Sequence, residues 1–147
     1  MPELMDILAK AELDVSAAST PWNVLTASWT VFDAWDRIPL ARGSAITPST
    51  DDNSMTINEA GPYSAALIIN GAFDRTEELY VSMSVNGADP VKWLAEQGRG
   101  ANKPIDFSWY GVHDLNAGDV IRVVGRMETT DTEVTVLSAT LTFQKEF

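Results

Sequence analysis

The stretch that decides the fold is Leu79-Tyr80-Val81-Ser82-Met83-Ser84-Val85-Asn86-Gly87. Apolar side chains alternate in it with polar or amphipathic ones, which is the period-two pattern of a strand buried on one face. The stretch ends in Asn86-Gly87, a pair that tolerates the positive φ angles of a tight turn. It therefore predicts a half-buried strand followed by a turn.

The same alternation recurs on both sides of this stretch. An earlier row ends at another Asn-Gly pair, Asn70-Gly71, and two later rows run towards the C-terminus. The inward rows are predicted to be Tyr63, Ala65, Leu67 and Ile69; Ile121, Val123 and Met127; and Thr135, Leu137, Ala139, Leu141 and Phe143. Together with shorter apolar runs, they give about seven or eight strands and predict an all-β, two-sheet antiparallel sandwich over residues 21–147.

The N-terminal residues follow a different period. Met1, Leu4, Leu8, Ala11 and Val15 are spaced three and four residues apart, which places them along one side of a short helix. Either this stripe (Leu4, Leu8, Ala11 and Val15) forms a short stalk or docks into a partner, or the helix packs on its own domain. Residues 16–21 are predicted to be a linker. The chain is thus divided into an attachment segment, residues 1–20, and a β domain, residues 21–147.

Composition excludes several classes of function. The 147 residues contain 10 Lys and Arg against 21 Asp and Glu, a net charge of −11, which opposes binding to nucleic acid or to anionic membranes. Cysteine is absent and His113 is the one histidine, which excludes thiolate chemistry and His-rich metal sites within one chain. Because the N-terminus lacks a secretory signal and no apolar run reaches the ~20 residues that span a bilayer, we expect a product made in the host cytoplasm.

Four segments follow one another in a recognisable order. They are Met55–Tyr63 with its Gly-x-Tyr ending, the strand Leu79–Gly87, Leu115–Ile121 with its Gly-Asp turn, and the closing strand Ala139–Gln144. Over residues 54–147 the chain resembles the jelly-roll domains of the complement-globular-head and tumour-necrosis-factor type. With Trp29-Thr30-Val31-Phe32 ahead of these segments, it looks most like the domains of tailed-phage fibre, spike and decoration proteins. The resemblance implies a two-sheet jelly roll and a threefold homotrimer.

Two tyrosines are candidate trimer-interface residues. Tyr80 and Tyr110 are predicted to stand on the polar faces of their strands, where a monomer leaves them wet. They are either interface residues or ordinary surface tyrosines, which need no partner. Ile68 also interrupts the polar face of its strand, so that strand is predicted to be covered on both sides.

The motifs provide no catalytic or metal site. His113 is followed by Asp114, but neighbours on a strand point to opposite faces, and no Gly-x-Ser-x-Gly nucleophile elbow is present. Asp51, Asp52 and Asn53 offer oxygen ligands in one loop, but they lack the calcium-binding EF-hand pattern, and an Asx-rich turn is the simpler interpretation. We therefore expect no enzyme activity, no cofactor and no metal.

A glycan site is the strongest small-ligand hypothesis. Lys92, Trp93, Arg99 and Lys103 bring an aromatic ring and three bases into one loop region of an otherwise acidic chain. That combination suits an acidic partner or a polysaccharide. The tryptophans assigned to packing are Trp22, Trp29 and Trp35.

The leading prediction is a non-enzymatic virion structural protein, namely a head fibre or spike, tail fibre or decoration protein that is oligomeric and exposed on the particle surface. On this interpretation Leu4, Leu8, Ala11 and Val15 attach it to a capsid or tail protein. The alternative is a glycan- or receptor-binding module that mediates adhesion to the host surface. The absence of a catalytic arrangement of residues argues against an enzyme. An acidic, cysteine-free β domain is typical of a domain exposed on a surface, which suits both the virion protein and the adhesion module.

Overall fold

A computed structural model describes residues 8–16, 19–73, 78–90, 95–97 and 104–146. These residues form twelve strands and no helix. The strands are β1 (Lys10–Val15), β2 (Thr20–Val24), β3 (Thr30–Val31), β4 (Arg37–Arg42), β5 (Ile46–Ser49), β6 (Ser54–Ile57), β7 (Gly61–Ala72), β8 (Leu79–Val85), β9 (Ala95–Gln97), β10 (Pro104–Leu115), β11 (Val120–Met127) and β12 (Thr132–Lys145). In this part of the chain no helix is long and apolar enough to cross a membrane.

The strands form two antiparallel sheets. Sheet A has the order β10-β7-β12-β1-β4, with β2 also paired to β12. Sheet B has the order β5-β6-β11-β8-β9, with β3 also paired to β11. The two antiparallel sheets are the sandwich that the alternating rows predict. Most neighbouring strands in each sheet are distant in sequence.

The predicted N-terminal helix is wrong where the structure describes it. Lys10–Val15 is strand β1, hydrogen-bonded to β12 on one side and β4 on the other. Its buried residues, Ala11, Leu13 and Val15, alternate with Lys10, Glu12 and Asp14, so the period is two. Because Ala11 and Val15 are core residues, the helical stripe proposed for attachment does not exist there. Leu8 is half-buried, and Leu4 lies outside the described residues.

The core lies between the two inward faces and follows most of the predicted rows. Tyr63, Ala65, Leu67 and Ile69 are all buried, as are the inward rows of β8 and β11. The C-terminal row is wrong at Thr135, which lies between the buried Val134 and Val136, and at Leu137, which is 49% exposed. A register shift between Val136 and Ser138 inserts an extra residue there, so the inward positions change from even to odd numbers.

One end of the sandwich is filled by an aromatic cluster. Phe32 makes edge-on contacts with Trp22, at 4.9 Å between ring centroids, and with Trp35, at 4.5 Å. The Trp22 indole Nε1 donates a hydrogen bond of 3.0 Å to the Val31 carbonyl oxygen. All three rings are buried, so Trp22 and Trp35 are packing residues and fix β3 against the sandwich.

Candidate functional site

The outer face of sheet A carries a patch without charge. On β10, β7 and β12 the inward residues alternate with outward ones that lie side by side in three rows. We call the following nine outward residues the uncharged face: Val112, Ser64 and Gln144; Tyr110, Ala66 and Thr142; Ser108, Ile68 and Thr140. Directly opposite residues on paired strands have Cβ atoms about 4.5–5.5 Å apart, so the nine form one continuous surface.

Three apolar side chains of the uncharged face are open to solvent. Tyr110 is 66% exposed, Val112 49% and Ile68 48%. Tyr110 lies opposite Ala66, whose small side chain leaves the phenol ring uncovered on that side. The prediction that Tyr110 lies on the solvent-exposed face of its strand is therefore confirmed. Ile68, an apolar residue at an outward position of β7, is the feature of the sequence that indicates this face.

The outward residues of the two neighbouring strands, β1 and β4, have a different character. Strands β1 and β4 continue the same three rows with Lys10 and Arg42, Glu12 and Leu40, and Asp14 and Arg37. Arg37 forms an ion pair with Asp14, which raises the pKa of the guanidinium group. The Asp14 carboxylate also accepts a hydrogen bond of 2.9 Å from the Thr140 hydroxyl. Charge on this face is thus concentrated on β1 and β4, at one side of the uncharged face, and Asp114 of β10 is exposed at another edge of it.

Tyr80 does not join Tyr110. It lies on the outer face of sheet B, opposite Arg126 of β11, and its hydroxyl donates to the Glu128 carboxylate over 3.4 Å. The two tyrosines predicted as trimer-interface residues are therefore on different sheets, because β8 and β10 belong to different layers of the sandwich.

A cavity of about 180 Å³ lies on the outer face of sheet B. Its lining includes Trp29, Val31, Ser84, Asp89, Arg122 and Val124. Trp29 is only partly buried and stands outside the core cluster, so unlike Trp22 and Trp35 it is not a core residue. The sequence gives no period for the loop that carries Trp29, and only the fold places this ring beside β11.

A larger cavity, of about 420 Å³, surrounds His113. His113 lies in strand β10 and is half-buried rather than on the surface, because it shares the inward side with its partner residue Tyr63. Three aspartates line the same cavity. One of them, Asp119, already accepts hydrogen bonds from the Asn86 side chain at 2.9 Å and from the Asn116 backbone at 2.8 Å. That carboxylate therefore holds the turn before β11.

The other predicted site residues are placed as follows. Lys92, Trp93, Arg99 and Lys103 lie outside the described residues. Asp51, Asp52 and Asn53 form the turn between β5 and β6, where the Asp52 backbone nitrogen donates to the Ser49 hydroxyl at 3.1 Å. Among the described residues, no group of three or more His, Asp or Glu side chains is arranged to hold a metal ion.

No protein-family model matches the chain, and no curated protein matches it. Solved structures share its fold. The globular domain of zebrafish complement 1qA superposes with a TM-score of 0.67 at 10% identity, covering 95% of this chain and 98% of that one. The PRD1 vertex protein P5 gives 0.65 at 11% identity, covering 93% and 96%.

An Eiger tumour necrosis factor from S. frugiperda gives a TM-score of 0.59 at 14% identity, covering 95% of this chain and 93% of that one. Identities this low show a common fold alone. The predicted jelly roll of the complement-globular-head and tumour-necrosis-factor type is thus confirmed as a fold.

Proposed function

We propose that this protein is a non-enzymatic structural protein of a phage or phage-like particle, and that its jelly-roll domain forms a homotrimer through the uncharged face. The observation that carries the proposal is the uncharged face itself. Nine adjacent outward positions carry no charge in a chain of which 21% is charged. The cores of protein interfaces are depleted in charge and enriched in tyrosine in the same way.

Symmetry explains why the contact takes this form. Around a rotation axis, residues near the axis face their own copies in the neighbouring protomers. A charged residue at that place meets like charge, whereas a serine, threonine, isoleucine or tyrosine meets a compatible side chain. A chain with net charge −11 therefore self-associates best through a face without carboxylates, and sheet A provides one.

The exposed apolar side chains give the size of the driving force. Tyr110 is 66% exposed, and fully burying an apolar side chain is worth about 1.5–3 kcal/mol, so covering its exposed part is worth about 1–2 kcal/mol. Covering the exposed halves of Ile68 and Val112 adds about 0.7–1.5 kcal/mol each. The total, about 2.5–5 kcal/mol per protomer, reaches only the lower end of the cost of association, about 4–15 kcal/mol. The polar residues of the uncharged face and of its edges must supply the rest of the free energy of association.

The particle half of the proposal rests on fold-level analogy. The fold is shared with the PRD1 vertex protein P5 over 93% of this chain. Attachment to a capsid or tail protein remains assigned to the N-terminal residues before β1, with Leu4 and Leu8 as its apolar members. Genes for capsid or tail proteins beside this gene support a particle role, and a metabolic operon around it contradicts that role.

Analytical ultracentrifugation at micromolar concentration tests the assembly. We expect the wild-type protein to sediment with three times the 16.0 kDa mass of one chain. Ile68→Lys places a charge in the centre of the face and is expected to give monomers. Leu25→Lys is the matched control, because Leu25 is 39% exposed but is not one of the nine residues of the uncharged face; it should leave the trimer intact. A monomeric wild type, or a trimeric Ile68→Lys variant, overturns the proposal.

A further inference from the structure

The cavity beside Trp29, on the outer face of sheet B, has a preformed aromatic wall. The guanidinium carbon of Arg126 lies 5.5 Å from the centre of the Trp29 ring, within the range of a cation–π contact. The loop before β3 is held at both ends: the Thr26 backbone nitrogen donates to Asp131 at 2.8 Å, and the Leu25 nitrogen donates to the Thr30 hydroxyl at 3.1 Å. The indole is therefore fixed in place without being part of the core.

The second wall is basic because Arg122 lines the cavity, whereas Arg126 supports the Trp29 ring. Arg122 and Arg126 are outward residues of β11, separated by the buried Val124. The Arg122 Nε donates to the Asp52 carbonyl oxygen at 3.1 Å, which orients the guanidinium group. Within the described ranges, neither arginine forms an ion pair with a carboxylate, the pair found there being Arg37 with Asp14. In a chain with more than twice as many acids as bases, a cavity-lining arginine without a carboxylate partner among the described residues favours an external anion.

The floor carries one hydroxyl group, that of Ser84, which is closed to solvent. Ser84 lines the cavity and is 5% exposed, and Ser82, one outward position away on β8, is 2% exposed. The Ser82 Oγ atom has no hydrogen-bond partner among the described residues. Asp89 stands at the rim and is exposed. An aromatic face, an oriented arginine, a buried hydroxyl and a carboxylate thus surround one space.

We propose that this cavity binds a sugar ring that bears a carboxylate, as in an acidic surface polysaccharide. The apolar face of the ring lies on the Trp29 indole. The sugar carboxylate accepts hydrogen bonds from Arg122, whose planar guanidinium suits a two-oxygen acceptor. Ring hydroxyls lie towards Ser84 and Asp89, which keeps the sugar carboxylate away from the protein's own. Because the uncharged face is on sheet A, this site does not depend on the proposed trimer.

Titration of the ¹⁵N-labelled full chain with glucuronate, and with glucose as the neutral probe, tests the site. The Trp29 indole Nε1–H signal, identified by its loss in Trp29→Leu, reports binding directly. We expect glucuronate to shift this signal with a Kd of about 1 mM and glucose to bind at least about tenfold more weakly. Arg122→Gln should weaken glucuronate binding by about tenfold, and Arg122→Lys should fall between, because lysine keeps the charge but loses the planar geometry.

Arg42→Gln is the matched control. Arg42 is exposed on sheet A and donates its Nε to a backbone carbonyl, that of Leu8 at 3.2 Å, as Arg122 does to Asp52. Its replacement changes net charge equally and should leave the glucuronate affinity unchanged. No shift of the Trp29 signal by glucuronate overturns the proposal. Equal affinities for glucose and glucuronate, or an equal loss in Arg42→Gln and Arg122→Gln, overturns it as well.

Discussion

Gly125→Ala should destabilise the fold because an indole occupies the space that a Cβ atom needs. Gly125 is an inward position of β11. A Cβ built there lies 2.4 Å from Cη2 and 2.7 Å from Cζ2 of Trp22, whereas carbon atoms pack favourably at about 3.5–4.0 Å. Trp22 is 1% exposed, bonded to the Val31 carbonyl and in edge contact with Phe32. The ring therefore has nowhere to move without breaking contacts.

The expected loss follows from these contacts. Overpacking of a core costs about 1–3 kcal/mol, and stretching the hydrogen bond from Trp22 to Val31 adds about 1 kcal/mol. Replacing glycine by alanine returns about 0.5–1 kcal/mol by restricting the unfolded chain. The net loss is about 1–3 kcal/mol, which for a protein of this length lowers the melting temperature by about 4–10 °C.

Urea unfolding monitored by circular dichroism measures this loss of stability. Two further variants test whether the Trp22 ring is its cause. Gly111→Ala meets a similar approach, 2.6 Å from Cζ2 of Trp109, but Trp109 is only partly buried and can rotate outward, so the loss should stay below about 1 kcal/mol. In a Trp22→Phe background the obstructing atoms are gone, so adding Gly125→Ala should cost little. The reasoning fails if Gly125→Ala is as stable as the wild-type protein. It also fails if Gly125→Ala lowers the free energy of unfolding as much in the Trp22→Phe background as in the wild type.

Two further predictions concern buried and turn residues. Tyr63 is fully buried, its hydroxyl donates to the Glu59 carbonyl oxygen at 2.6 Å, and burial raises its pKa above the usual value. Above about pH 10 the unfolded chain ionises this tyrosine while the folded chain does not. Stability should therefore fall as the pH rises from 10 towards the folded pKa, and in urea titrations at pH 9 and 11 Tyr63→Phe should lose less than wild type. Asn86 has φ of 56°, accepts from the Val120 nitrogen at 2.8 Å and donates to Asp119 at 2.9 Å. Asn86→Ala should lose about 2–3 kcal/mol in thermal unfolding, and Asn86→Gly, which tolerates the positive φ, should lose less; equal losses contradict the role of φ.

Alternation along the chain predicts strands well where one face is buried. The row that ends at Asn86-Gly87 is strand β8, and both residues of the pair have positive φ, 56° and 77°. The same dipeptide at Asn70-Gly71 is not a turn, because β7 continues to Ala72. There glycine is needed for a different reason: a Cβ at Gly71 lies 2.4 Å from the Thr135 carbonyl oxygen of β12. A local pattern cannot distinguish a turn from the close approach of a distant strand.

The N-terminus fails as a sequence prediction for the opposite reason. The residues of β1 fit both periods, since Ala11 and Val15 are inward under either. Leu13 distinguishes the two periods. In a strand Leu13 lies on the same face as Ala11 and Val15, whereas in a helix it points away from the stripe that contains them. Its complete burial results from pairing with β12, more than a hundred residues later in the chain.

The amino-acid sequence by itself determined the layer structure of this protein: an acidic, cysteine-free β sandwich with known inward rows. Each row depends on alternation within a few neighbouring residues. Only the tertiary structure decided which outward side chains share a surface. Ile68 joins the uncharged face because β7 lies between Ser108 of β10 and Thr140 of β12, and Arg122 approaches Trp29 because β3 pairs with β11. Such pairings join distant segments through backbone hydrogen bonds that every residue type can form, so no local pattern specifies them.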